Sequence, residues 1–123
     1  MSENEVLDLL DFMMHSIQLI QERFSKINVP DEFILSSEGI TVLDSITMRL
    51  QVIGESVKKI QKINPSILNR YTEIEWNKIS KLRDLVSHHY EEVDHEIVYD
   101  ICENHIPKLK QTLVKISNET NNN

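Results

Sequence analysis

Residues 81–94 read Lys-Leu-Arg-Asp-Leu-Val-Ser-His-His-Tyr-Glu-Glu-Val-Asp, a crowding of ionisable and aromatic side chains unlike the rest of the chain. If a helix continues through them, 100° per residue places Arg83, Ser87 and Tyr90 on nearly one face, because seven residues make almost two whole turns. His88 then sits about 140° from Arg83. A site using both needs either a helix end between them or a second chain, which is a reason to expect dimerisation. Arginine and histidine together suit a phosphodiester. A neutral imidazole can take the proton from a ribose 2′-hydroxyl, and its charged form can protonate the leaving oxygen near neutral pH. A guanidinium stays cationic and binds two phosphate oxygens as charge builds on the phosphorane. That reaction requires no metal or other cofactor. The plain alternative is that Arg83 and His88 are ordinary helix-surface residues.

Other chemistries find less support. His88, His89, His95, Glu91, Glu92 and Asp94 are potential ligands, but no His-x-x-x-His or His-Glu-x-x-His spacing puts two of them on one helical face, so no metal is expected. Gly39 and Gly54 are the only glycines, which excludes a glycine-rich phosphate loop. Cys102, the single cysteine, can form neither an intramolecular disulfide nor a cysteine-built zinc site, and reads as a core residue. Trp76 at helical spacing from Ile79 also reads as core, and Gly54 as a point of close helix approach.

The elements that must position these residues are helical. Five glycines and prolines in total leave little turn chemistry for a many-stranded sandwich or barrel. Val6, Leu10, Met13, Ile17, Ile20, Phe24 and Ile27 alternate in fours and threes, which predicts one long amphipathic helix ending before Val29-Pro30. A second helix starts near Ser36–Glu38 and repeats the spacing at Leu43, Ile46, Leu50, Ile53, Val57 and Ile60, so the two form an antiparallel pair. Asn64-Pro65 caps and opens a short helix. Thr72 followed by Glu75 resembles a capping box for a helix carrying Trp76, Ile79, Leu82 and Val86. The last helix begins at Asp94 and runs through Ile97, Ile101, Leu109, Leu113 and Ile116, with a kink or break expected at Pro107. The result is an all-α bundle of four main helices plus short ones, a single domain over residues 1–116, with a polar tail at 117–123 that should fray.

Charge is uneven. Against a formal total of −7, residues 1–56 carry −7, residues 57–83 carry +5 and residues 84–123 carry −5. Lys58, Lys59, Lys62, Arg70, Lys78, Lys81 and Arg83 make that basic island, either a phosphate-attracting surface or simply a solvated face. No basic segment followed by an apolar one opens the sequence, and no apolar run approaches the roughly 20 residues that span a bilayer. A cytoplasmic protein with no membrane association is the expectation.

At residues 83–94 the sequence resembles the HepT-like toxins of the HEPN superfamily, small helical partners of minimal nucleotidyltransferases in prokaryotic toxin–antitoxin operons. Their hallmark, Arg-x4-His-x-Tyr, reads here Arg83-Asp-Leu-Val-Ser-His88-His-Tyr90, continuing into Glu-Glu-Val-Asp94. Ile53-Gly54-Glu55, Glu75-Trp76-Asn77-Lys78-Ile79 and Ile106-Pro107-Lys108-Leu109 are similar to further family landmarks, and the likeness covers roughly residues 5–116. The resemblance implies a four- to five-helix HEPN-type bundle with up-down antiparallel long helices. It also implies a type VII toxin: a homodimeric, metal-independent endoribonuclease that cuts tRNA or mRNA by 2′-hydroxyl attack. Arg83 would stabilise the phosphate and His88 would act as acid and base. Tyr90 would receive AMP from the cognate nucleotidyltransferase antitoxin, blocking the cleft by charge and bulk. The position after the arginine is often asparagine in the family; here Asp84 can pair with Arg83 and weaken phosphate attraction. His89 is an additional imidazole without an assigned role. The alternative function is a binding module of the same fold, with little nuclease activity, that docks a nucleotidyltransferase or a nucleotide.

Overall fold

The alternating fours and threes of the first apolar run become helix α1, Ser2–Phe24, in a computed structural model that describes residues 2–89, 91 and 93–121, the side chains of residues 2, 3, 85, 87–89 and 121 excepted. Val6, Leu10, Met13, Ile17 and Ile20 are fully buried along its inner face. A 3-10 turn, Pro30–Phe33, follows, and its Glu32 carboxylate reaches back to accept from the Asn28 and Val29 amides just ahead of it. Helix α2, Ser37–Ile63, begins where the Ser36 hydroxyl accepts from the Gly39 N–H at 2.9 Å. Ile46, Leu50, Ile53, Val57 and Ile60 turn inward, while Leu43 is only partly buried.

Asn64 precedes the short helix α3, Pro65–Asn69, with proline at its first position. Its side chain accepts from the Ser66 hydroxyl and does not cap a backbone amide. Helix α4 spans Trp76–His89. It starts later than a capping box at Thr72 requires. Residues 72–75 form a turn instead, in which the Trp76 indole donates to the Tyr71 carbonyl at 3.0 Å and the Glu73 carboxylate is taken by Thr112 and Lys115. Helix α5, His95–Asp100, is capped as expected by Asp94, which accepts from the Glu96 N–H at 2.8 Å.

Pro107 does not break the last helix. A π-helical turn, Ile101–His105, joins α5 to helix α6, Ile106–Asn121, and the Ile106 N–H reaches back five residues to the Ile101 carbonyl. The wider turn takes up the carbonyl that a proline ring would crowd and the amide it cannot supply. The core register follows from it: Val98, Cys102, Ile106, Leu109, Leu113 and Ile116 are buried, whereas Ile97, expected inside, is 57% exposed. The segment after Ile116, expected to fray, is helical through Asn121, and Glu119 accepts from the Tyr71 hydroxyl.

Helix α2 is the hub. Helix α1 packs along one side and α4 along another, with α6 closing on α1. Gln61 lies against Asn77 and Lys58 against Asp84, so α2 and α4 are antiparallel. Among the described residues there is no strand, and the chain is the all-α bundle expected. No described helix is long and apolar enough to cross a membrane.

Candidate functional site

Helix α4 carries the motif, and its contact with α2 decides where Arg83 stands. A Cβ on Gly54 would lie 2.7 Å from the Ile79 carbonyl oxygen, 2.8 Å from the Arg83 amide nitrogen and 3.4 Å from the Arg83 Cβ. The missing side chain lets the two backbones touch at the turn that bears Arg83. Trp76 and Val86 bury the inner face of α4 on either side of that point.

Close approach brings the next residue of α2 into reach. Glu55 Oε2 lies 2.9 Å from Arg83 Nε, and Arg83 Nη1 lies 3.0 Å from Asp84 Oδ1. The other Asp84 oxygen meets Lys58 Nζ at 3.4 Å. Glu55, Arg83, Asp84 and Lys58 thus form a chain of alternating charge across the α2–α4 seam. Its members are about two-fifths to one-half exposed, so solvent reaches them all. The hydrogen bond from Arg83, followed by the field of Lys58, holds the Asp84 carboxyl below the usual carboxylate range. The pairing of Asp84 with Arg83 is the one expected from their adjacency. Glu55 was not legible as a partner; the available signal was its place next to Gly54, where the two backbones meet.

The α4 backbone is helical without interruption from Trp76 to His89. Positions 83 and 88 therefore stand about 140° apart around one axis and ~7.5 Å apart along it. Of the two ways to bring them together, a helix end between them is ruled out. Tyr90 and the side chains of His88 and His89 lie outside the described residues, so of the expected site the structure places Arg83 and Asp84.

Beside Arg83 is a hollow of about 440 Å³ whose walls include Leu9, Phe12, Met48, Val52 and Glu55. Phe12 and Met48 are half exposed there, so the guanidinium sits at the edge of an open apolar surface formed by α1 and α2. Of the basic island, Lys58 and Arg83 are engaged in the charge chain. Lys78 pairs with Glu75 at 2.6 Å and borders a separate cavity between α4 and α5–α6. Lys59, Lys62, Arg70 and Lys81 are exposed and have no carboxylate partner among the described residues.

Two other chemically capable groups are separate from this seam. Asp31, His95 and Glu96 bring ligand-type atoms within 4.8 Å of one another, and His95 Nε2 is 3.1 Å from Asp31 Oδ1, tying the 3-10 turn to α5. Cys102 is buried in the core, and that burial pushes its thiol up to about 12, which leaves it unreactive.

A family model described as Ribonuclease HepT-like matches residues 13–116. A protein of Methanocaldococcus jannaschii, named for γ-glutamylcyclotransferase and a proposed RNase, is 29% identical over 93% of this chain and 48% of its own length. Another M. jannaschii protein, named as a proposed RNase, is 31% identical over 89% of this chain and 81% of its own. A Thermococcus cleftensis protein, named for ribonuclease HepT, is 28% identical over 89% of this chain and 93% of its own. The chain spans about half the length of the first of these relatives. No solved structure gives a significant match.

Proposed function

Since the chain belongs to the HepT-like ribonuclease family, we propose that it is a metal-independent endoribonuclease and acts as a symmetric homodimer, with Arg83 of one copy working beside His88 of the other. The observation that carries this reading is the unbroken course of α4 through positions 83 and 88. That course supports a pair completed by a second copy, which would seat on the open apolar surface around Phe12 and Met48, with Arg83 at its edge. His88 takes the proton of a ribose 2′-hydroxyl. The 2′-oxygen attacks phosphorus, the bond to the 5′-oxygen breaks, and an imidazolium returns a proton to that oxygen. The products are a 2′,3′-cyclic phosphate and a 5′-hydroxyl. Arg83 holds the non-bridging oxygens, whose charge is greatest in the transition state.

In the same reading the chain is the toxin of a type VII toxin–antitoxin system acting on tRNA or mRNA in the cytoplasm. A minimal nucleotidyltransferase antitoxin silences it by transferring AMP to Tyr90. A phosphate diester and its adenosine there would repel and obstruct the RNA backbone.

The test is cleavage of total RNA in excess chelator. Wild type should leave cyclic-phosphate ends, and Arg83→Ala and His88→Ala should each leave none. Mixed and allowed to exchange subunits, the two inactive variants should regain cleavage, because each mixed dimer holds one complete pair. A mixture that forms mixed dimers and stays inactive, beside an active wild type, would remove the shared site. Tyr90→Phe should keep the fold and refuse AMP.

A second reading has its own support. Both Glu55 and Asp84 occupy the Arg83 guanidinium, which fits a binding module with weak catalysis. A folded dimer that binds the nucleotidyltransferase and cuts no RNA, with an intact mass free of AMP, would favour it.

A further inference from the structure

We propose that Lys59 receives the Glu55 carboxylate when a substrate phosphate engages Arg83, so that the ion pair occupying the guanidinium in the free protein opens as substrate binds. This rests on the ribonuclease reading for the source of the phosphate. It makes Lys59 a positioning residue, acting on Arg83 through Glu55.

Placement selects Lys59 from the basic island. Glu55, Lys59 and Arg83 line one hollow of about 440 Å³, and the rest of its described lining is uncharged. The other cations stand elsewhere. Lys58 is bound to Asp84 at 3.4 Å and Lys78 to Glu75 at 2.6 Å, Lys62 borders a separate groove against Glu5 and Asp8 of α1, and Arg70 and Lys81 line neither hollow. Lys59 stands at the divide between the two hollows and borders both. It is exposed, and no carboxylate pairs with it among the described residues, Glu5 and Asp8 included.

Spacing gives the receiver its geometry. Glu55 and Lys59 are four residues apart on α2, the separation at which side chains of one helix meet, and glutamate first is the order that favours the pair. The pair is not formed, because Glu55 Oε2 lies on Arg83 Nε at 2.9 Å instead. The carboxylate thus has two cations to choose between, one on its own helix and one on α4. Around the guanidinium, Glu55 and Asp84 set two negative charges against Arg83 and Lys58, a balance of zero. A phosphate arriving at Arg83 adds a negative charge that repels Glu55. Turning Glu55 to Lys59 frees Arg83 Nε, separates the two anions and pairs the free ammonium. Glu55 and Arg83 are each about two-fifths exposed, so the carboxylate turns through solvent and disturbs no packed core.

The experiment measures, by fluorescence anisotropy, binding of a single-stranded 2′-deoxy oligonucleotide, which offers the phosphates and cannot be cut by 2′-hydroxyl attack. Cleavage of the RNA of the same sequence is followed beside it. The proteins are wild type, Lys59→Met, Glu55→Gln and Glu55→Gln/Lys59→Met, each checked for folding by its melting curve. Lys59→Met should weaken binding by about 1.5- to 5-fold, the range of a solvated ion pair, and kcat/KM should fall in step. Lys59→Arg should retain both. In the Glu55→Gln background the same substitution of Lys59 should have little effect, because no carboxylate is left to receive. An equal loss in both backgrounds would mean that Lys59 meets the nucleic acid itself, and would overturn the handover; so would binding unchanged by Lys59→Met. Binding with the expected dependence on Glu55 but no RNA cleavage would keep the handover and remove the ribonuclease reading. A wild type that neither binds nor cuts would remove both.

Discussion

Replacing Gly54 by alanine sets two opposed effects against each other, and their sizes can be worked out beforehand. In a helix interior alanine is favoured over glycine by ~1 kcal/mol, so on local propensity alone Gly54→Ala stabilises the protein. The added methyl, however, would lie 2.7 Å from the Ile79 carbonyl oxygen and 2.8 Å from the Arg83 nitrogen, both backbone atoms that no side-chain rotation can move. Restoring ordinary contact at 3.4 Å requires α4 to retreat by about 0.7 Å. Overpacking of this kind costs about 1–3 kcal/mol, so the net effect is a loss of up to ~2 kcal/mol. For a chain of this size that is a fall of several degrees in Tm. The same retreat carries Arg83 away from Glu55, now 2.9 Å distant, and shifts the guanidinium relative to whatever group faces it. Thermal unfolding by circular dichroism, paired with RNA cleavage at a temperature where the variant is folded, reads both. The expected result is a lower Tm with cleavage reduced by tenfold or more, the order of loss that a 1 Å misplacement produces. A raised Tm with undiminished cleavage would show that α4 is not held by contact at Gly54, and the account of how Arg83 is positioned would fall.

Asp84→Asn should remove a charge that competes for Arg83 and Lys58, so RNA should bind more tightly at low salt; equal or weaker binding would contradict the alternating chain. The Asp84 carboxyl is held below its ordinary value, so its contribution to stability is present above about pH 4 and disappears as pH falls through the lowered folded value. The stability gap between wild type and Asp84→Asn should accordingly be constant near neutrality and close in acid. Glu55→Gln should cost less than about 1 kcal/mol of stability, because the pair is largely solvated, while altering cleavage more than unfolding. Cys102, buried and with its thiol pushed up to about 12, should resist a thiol reagent in the native protein and react at once in denaturant; rapid native labelling would show the core opens there. Asp94→Ala should cost about 1 kcal/mol through loss of the cap on α5, visible as a lower denaturation midpoint.

How much of the fold could be read from sequence depends on how local the determining signal is. The faces of α1 and α2 are legible because burial repeats every three or four residues over six turns, and Asp94 is legible because a cap is decided within three residues, while the start of α2 was placed only to within Ser36–Glu38 and the Ser36 cap fixes it. The last helix is different. A proline usually argues for a break, but the π-turn at Ile101–His105 accommodates Pro107 and moves the inward face from Ile97 to Val98 and Cys102. Thr72 was misleading for a related reason: the Thr-x-x-Glu spacing is present, yet the indole of Trp76 and the partners of Glu73 on α6 hold 72–75 as a turn. Both departures come from contacts made at a distance along the chain.

The site divides along the same line. Arg83 and His88 are singled out in sequence by the Arg-x4-His-x-Tyr resemblance, since their types and spacing alone also fit ordinary helix-surface residues. What the spacing alone leaves open is how residues about 140° apart would serve the one reaction proposed for them, and the answer depends on whether the helix ends between them. It does not, since α4 continues to His89. A feature that weakens the case for a site within one chain therefore strengthens the case for one shared between two. The same reasoning gives Glu55 and Gly54 their meaning. Neither residue type suggests phosphodiester chemistry, and both matter because a backbone contact at one glycine determines which face of α4 is held against α2 and where Arg83 stands.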